Sequence, residues 1–344
     1  MMISKKQINF LLGVCCSFFV ILPLHAQEKI QIVGSSTVFP FSTAVAEEFG
    51  ALTTFPTPTI ESTGSGGGIK LFCGGVGTEF PDIVNASRQI KPSEIELCKS
   101  HGVTEISEVI IGYDGIVIAS ANVSEALNLN QKDLFLALAA QVQDPQDETK
   151  LIHNPYTFWD EINPKYPHKK IEVLGPPPTS GTRDAFVELV MHKGCKAFPL
   201  FQNMSKKERK THCGLIREDG VFVDAGENDN LIIQKIVANP DALGIFGFSF
   251  LDRNGDKIVG HHIEGVEPTF ENIADGSYPV SRSLYFYVKR QHIGLVPGIK
   301  EFVAEFFREK AIGEGGYLEE RGLIPLPADL QKKYYQKAKE EGIL

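Results

Sequence analysis

The 344-residue sequence has no long basic block, and its 34 lysines and arginines are outnumbered by 43 aspartates and glutamates, for a formal net charge of −9. Such a chain is a poor nucleic-acid binder, and no nucleic-acid partner is expected. No CxxC or HxxxH spacing occurs, so the common structural-metal patterns are missing, and neither a metal nor a cofactor is expected. No glycine run leads into a Gly-Lys-Ser/Thr triplet, which excludes the P-loop. Ser65 lies in Gly-Ser-Gly without a Gly-x-Ser-x-Gly elbow, and no Ser/His/Asp order points to nucleophilic catalysis. There is no internal repeat, no low-complexity tract, and beyond the first 26 residues no apolar run long enough to cross a bilayer. What is there is ordinary globular composition, 42% hydrophobic and 22% charged, at a length that suits two domains or one large one.

Residues 1–26 have the order of a secretory signal. Lys5 and Lys6 form a positive start, an apolar run follows from Ile8 to Leu24, and the small Ala26 precedes polar Gln27 and Glu28. The expectation is export to the periplasm with cleavage near Ala26. Cys15 and Cys16 would leave with the signal. Cys73, Cys98, Cys195 and Cys213 remain, an even count that favours disulfides in an exported chain, with three connectivities open. Pairing Cys73 with Cys98 and Cys195 with Cys213 closes the shortest loops.

Strand and helix signals alternate, the pattern of an α/β fold. Strands are predicted over 30–33, 57–61, 82–86, 105–111, 115–119, 171–174, 244–248 and 284–288. Helices are predicted over 41–49, 92–101, 132–140, 183–192, 231–238, 299–307 and 330–339. Residues 64–68 read as a glycine-rich turn and Gly112-Tyr113-Asp114 as a break between two strands. Residues 141–170 read as a long polar loop in which Trp159 packs rather than binds. Asp252-Arg253-Asn254-Gly255-Asp256 resembles the start of a calcium loop, but Lys257 and Ile263 stand where glycine and glutamate are needed, so a hairpin turn is expected.

Three places share the order strand, Ser/Thr/Gly loop, helix: residues 33–38, 62–68 and 178–183. Such loops aim free N–H groups and hydroxyls at one point, where the helix dipole also favours negative charge. Together they describe an oxyanion cradle. Arg183 stands in a first helical turn, where its charge opposes the dipole, so an anion or carboxylate partner is expected beside it.

The segments Gly34-Ser35-Ser36-Thr37-Val38-Phe39-Pro40, Gly64-Ser65-Gly66-Gly67-Gly68-Ile69-Lys70, Asp82-Ile83-Val84-Asn85-Ala86-Ser87-Arg88 and Thr179-Ser180-Gly181-Thr182-Arg183 resemble the signature loops of the phosphate-specific ABC-transporter solute-binding proteins. Tyr113-Asp114-Gly115, Phe158 to Pro164 and Tyr278-Pro279-Val280-Ser281-Arg282 also resemble that family, in order along nearly the whole chain. The resemblance implies a two-lobed periplasmic-binding-protein fold of type II, with two crossover strands as hinge. Lobe 1 would be 27–113 plus 282–344, and lobe 2 would be 114–281. It implies a monomer that is not an enzyme, with inorganic phosphate as ligand and inner-membrane ABC permease subunits as partners. Its phosphate-binding residues would be Ser36, Thr37, Val38 and Ser65 from one lobe and Ser180, Gly181 and Thr182 from the other, with Arg88 and Arg183 beside them.

Two positions depart from one branch of the family. Arg88 replaces an aspartate that accepts the ligand proton, and Pro176 replaces an arginine. Asp114, Asp224 and Glu227 are candidate replacements for the acceptor. Another oxyanion (sulfate, molybdate or phosphonate) and a secreted phosphatase on the same scaffold are the alternative readings.

Overall fold

The computed structural model describes residues 29–344 apart from Glu125 and Glu227. The expected signal, Cys15, Cys16 and Glu227 lie outside the described residues. One sheet of nine strands runs through the molecule: β1 (Gln31–Gly34), β2 (Thr59–Ser62), β3 (Ile83–Ala86), β4 (Ile106–Ala121), β5 (Val173–Gly175), β6 (Phe222–Asp224), β7 (Leu243–Gly247), β8 (Ile258–Gly260) and β9 (Ser281–Lys289). Their order is β2-β1-β3-β9-β4-β7-β5-β6, and β8 also pairs with β4.

β4 and β9 join the two halves of this sheet. β4 pairs with β9 from Ile106 to Gly115, then with β7 from Ile116 to Ala119. The two β-branched runs expected as separate strands are therefore one strand. Gly112-Tyr113-Asp114 has turn-like composition, but its backbone groups find long-range partners: Gly112, Tyr113 and Asp114 face Leu284, Ser283 and Arg282. The pairing slips between Leu284 and Tyr285, leaving Ile111 as the extra residue, and such a bulge bends a strand locally. At the same point Gly112 has φ +156°, and a Cβ there would lie 2.5 Å from the Ile324 carbonyl oxygen. Only glycine lets the chain cross so close to the returning C-terminal segment.

The apolar cores divide at this bend. One cluster gathers side chains between Tyr113 and Val280, joined by Ile324 and Leu326. Two others gather side chains from Ile30 to Ile111 and from Leu284 to Ile343.

Three further expectations are corrected. Residues 65–68 are helical, opening α2 (Ser65–Phe72), because α2 lies so close to β1 that a Cβ on Gly68 would come within 2.5 Å of the Gly34 Cα. The glycines serve close packing rather than a turn. The 141–170 loop contains an antiparallel pair, Gln141–Asp144 with Asp147–His153, and a short helix, Trp159–Ile162. Asp252 and Arg253 end a helix, Phe248–Arg253, and the turn after them leads into β8, so the segment is not a hairpin. Trp159 is 2% exposed and meets Tyr166 edge to face, as packing requires.

The four described cysteines pair Cys73 with Cys98 and Cys195 with Cys213, across separations of 25 and 18 residues. The first bridge ties the end of α2 to α3 (Pro92–Ser100). Loops of this size imply about 2–4 kcal/mol of stabilisation per bridge. Replacing either pair by serine is expected to lower the denaturant midpoint accordingly, and reductant should reproduce the loss in the unmodified chain. Unchanged unfolding curves in reductant would contradict this.

Candidate oxyanion-binding cleft

β1, β2 and β3 run parallel, so their C-terminal ends come together on one side of the sheet. β1 leads through Ser35-Ser36-Thr37 into α1 (Phe39–Leu52), β2 leads through Thr63-Gly64 into α2, and β3 leads into Ser87-Arg88. Hydrogen bonds lock the three loops to each other. Ser35 N–H donates to the Asn85 carbonyl at 2.9 Å, and Thr63 N–H donates to the Gly34 carbonyl at 2.9 Å. Ser87 N–H donates to Ser65 Oγ at 3.0 Å. Gly34 (φ +131°) makes this register achievable, since a Cβ there would lie 2.1 Å from the Asn85 carbonyl oxygen.

Across from these loops, β5 leads to α4 (Gly181–Phe186), whose cap is Ser180: its Oγ accepts from Thr182 N–H at 3.2 Å. The two sides touch where Gly181 meets Thr37. A Cβ on Gly181 would be 3.1 Å from the Thr37 Cα.

Between them lies a cavity of about 410 Å³ whose lining residues, apart from Val187, are polar, charged or glycine. One side supplies Ser35, Ser36, Thr37, Ser65, Ser87 and Arg88, and the other supplies Asp184, Glu188, His192 and Lys210. Arg282, at the start of β9, also lines it. Among the described residues, the backbone N–H groups of Thr37 and Val38 have no hydrogen-bond partner. The first turn of α2 adds further free donors.

Arg282 is the organising cation. Its side chain is 8% exposed, and it donates to Thr37 Oγ1 at 2.6 Å, Asp114 Oδ2 at 3.2 Å and Glu188 Oε2 at 2.8 Å. Burial pushes the Asp114 carboxyl above its ordinary range, with Arg282 pulling against that rise. Burial holds the His192 imidazole below its ordinary value, which favours the neutral ring. Asp184 reaches across the cleft and accepts from Ser36 Oγ at 2.6 Å.

Of the residues expected at the site, Ser36, Thr37, Ser65 and Arg88 line the cavity. Val38 is buried beneath it, where its N–H rather than its side chain is available. Ser180, Gly181 and Thr182 form the facing helix start but are not part of the cavity wall. Arg88 is committed to Glu94 through two hydrogen bonds, 2.9 and 2.7 Å, which raise its pKa. Arg183 lies away from the cavity, with its guanidinium 4.3 Å from the Phe222 ring centroid and donating to the Pro176 carbonyl at 3.2 Å. An aromatic face and a carbonyl are its direct contacts, burial lowers its pKa, and the carboxylates of Asp224, Glu218 and Asp184 oppose that fall without a direct ion pair.

Sequence reasoning missed Arg282 as a site residue, although the Tyr278–Arg282 segment carried the signal. It also missed Asp184, in α4, and Glu188, in the π-helical turn Val187–Met191 that continues it. Asp224 does not line the cavity.

Two halves of a bent α/β sheet, meeting over a cradle of hydroxyls, free N–H groups and a buried arginine, define a two-lobed binding protein for a small oxyanion. The family model of the PBP superfamily domain matches residues 23–310. The chain is 31% identical over 323 residues to protein SphX of Synechococcus elongatus, covering 92% of this chain and 83% of that one. It is 28% identical over 319 residues to the phosphate-binding protein PstS of Staphylococcus saprophyticus, covering 90% and 84%. The crystal structure of a possible phosphate binding protein from Planctomyces limnophilus matches it with a TM-score of 0.73 at 28% identity, over 91% of this chain and 98% of that one. The chain belongs to the PBP superfamily, within its PstS-like phosphate-binding family, and has the two-lobed periplasmic-binding-protein fold.

Proposed function

We propose that this chain captures inorganic phosphate in the cleft and hands it to a membrane ABC permease, as an exported, monomeric binding protein without catalytic activity. In this reading the signal is removed near Ala26, residues 27–113 plus 282–344 form one lobe, residues 114–281 form the other, and β4 and β9 are the hinge. The observation that carries it is Arg282 hydrogen-bonded to Thr37 at the mouth of three loops of free donors. Phosphate would take the N–H groups of Thr37 and Val38, the first-turn donors of α2, and the hydroxyls of Ser36, Ser65 and Ser87. Lobe closure would bring Ser180, Gly181 and Thr182 to the same anion. Desolvated, charge-assisted bonds of this kind are strong, and closure over the ligand excludes water.

Asp184 fits the role of proton acceptor that Arg88 vacates. It lines the cavity and already accepts a hydrogen bond from the Ser36 hydroxyl. Phosphate at neutral pH carries a P–OH that a carboxylate can accept. Sulfate carries none, and would place its oxygen against the carboxylate.

Calorimetric titration of the phosphate-stripped chain at pH 5–9 tests both parts. Tight phosphate binding with little sulfate heat is expected. Asp184→Asn should reduce the preference for phosphate over sulfate by about tenfold or more, the worth of one hydrogen bond to a charged group. No phosphate heat in the unmodified chain would overturn the reading. An unchanged preference in Asp184→Asn would remove Asp184 from it.

A further inference from the structure

We infer that the end of the β5–β7 half of the sheet distal to the cleft carries a second binding site, a cavity that takes a small carboxylate with an apolar body. The cleft lies beyond Gly175, at the C-terminal end of β5. This cavity, of about 490 Å³, lies at the other end of the same strands, beside Ser120 near the end of β4 and Leu243 at the start of β7.

His261 carries the argument. It is 1% exposed and forms part of the cavity wall. Its Nδ1 accepts the Leu127 N–H at 2.9 Å. The ring is held neutral, because burial pushes its pKa down to about 4. Its one proton must therefore sit on Nε2, and that buried donor has no partner among the described residues. A buried donor left unpaired is costly, so the site calls for an acceptor.

The rest of the wall specifies what carries that acceptor. Trp159 and Tyr166 meet edge to face, with centroids 6.1 Å apart, and Leu127 and Leu243 add aliphatic surface. Lys165 is exposed at the rim, and its ammonium has no ion-pair partner among the described residues. Lys169, by contrast, is held by Asp241 at 2.7 Å. The wall also holds Ser120, Ser124 and Asp241, and that carboxylate is already paired with Lys169, so the buried donor, the free cation at the mouth and the aromatic and aliphatic side chains remain to match a carboxylate on an apolar body. They do not match phosphate, which needs many donors and no apolar wall.

Trp159 is the single tryptophan of the chain, so its fluorescence reports this cavity and not the cleft. The experiment titrates the full mature chain with benzoate while saturating phosphate fills the cleft. Acetate and benzyl alcohol serve as comparisons that lack the apolar body and the charge. A saturable fluorescence change with a Kd of about 1 mM or tighter is expected for benzoate, and at least about tenfold weaker binding for either comparison. His261→Phe should weaken benzoate by about tenfold and benzyl alcohol, a neutral acceptor, by clearly less. Because that variant also strips Leu127 of its acceptor and could fail to fold, the unmodified chain gives a second measurement. Benzoate should shift the ¹⁵N resonance of His261 Nε2 and leave His192, in the cleft, unmoved. No saturable response, no Nε2 shift, or benzyl alcohol binding as tightly as benzoate would each overturn the proposal, leaving water as the partner of Nε2–H.

Discussion

Replacing Arg282 by alanine is expected to abolish measurable phosphate binding and to destabilise the chain by about 3–5 kcal/mol at neutral pH, the cost of leaving a buried charge without its partner. The stranded charge is Asp114, which sits opposite Arg282 in the β4–β9 ladder. Its carboxyl is already pushed up by burial, and Arg282 is what opposes that rise. Without the arginine, the folded state would favour protonated Asp114, while the unfolded chain ionises in the ordinary carboxylate range. The deficit should therefore be small near pH 4 and grow as pH rises toward neutrality. Urea unfolding at pH 5 and pH 8 measures that slope. The double variant Arg282→Ala/Asp114→Ala separates the two roles: stability should largely return, whereas phosphate binding should not, because Thr37 still lacks its donor. Arg282→Lys should keep part of the affinity, since it retains charge without the fork that reaches Thr37, Asp114 and Glu188 together. Arg282→Ala binding phosphate as the unmodified chain does would remove this residue from the site.

The parts of this architecture that are legible in the sequence are those written locally. Strand, short polar loop and helix recur within a few residues, so the residue pattern alone puts Ser36, Thr37 and Ser65 at loop tips. Both cysteine pairings are the ones that close the shortest loops. The parts that are not legible depend on partners far along the chain. Gly112-Tyr113-Asp114 reads as a turn until β9, about 170 residues later, supplies its hydrogen bonds. Residues 64–68 read as a glycine-rich turn until the approach of Gly34 shows why a side chain is excluded at Gly68. The two arginines show the same division. Arg183 draws attention because a first-turn cation opposes the helix dipole, but its direct contact is the Phe222 face, which no local rule identifies, with Asp224, Glu218 and Asp184 acting on its charge without an ion pair. Arg282 carries no local anomaly, and its role depends on Asp114, Glu188 and Thr37 converging from three distant segments.

Acidification from pH 6.5 to pH 4 is expected to destabilise the protein by about 3 kcal/mol through His261 alone. This imidazole is neutral in the folded state, with its pKa pushed down to about 4 by burial and, secondarily, by the neighbouring His262. In the unfolded chain it titrates near 6.5. Below 6.5 the unfolded state takes up a proton that the folded state refuses, so stability falls with falling pH until the folded ring also protonates near 4. His192, lowered by burial as well, adds a smaller loss of the same sign. The salt-bridged carboxylates act in a different window. Glu94 and Asp219 are held below their ordinary range by Arg88 and Arg217 against the opposing effect of burial, so their contribution is lost mainly below pH 4. Between pH 4 and 6.5 the curve therefore reports the buried histidines less an opposing contribution from Asp114, whose carboxyl burial raises. Guanidinium unfolding across that range should show a slope approaching one proton taken up on unfolding. His261→Gln, whose side-chain carbonyl can still accept from Leu127 N–H, should flatten it. A slope that is unchanged in His261→Gln would place the acid sensitivity elsewhere and contradict the neutral, Nε2-protonated ring on which the distal cavity depends.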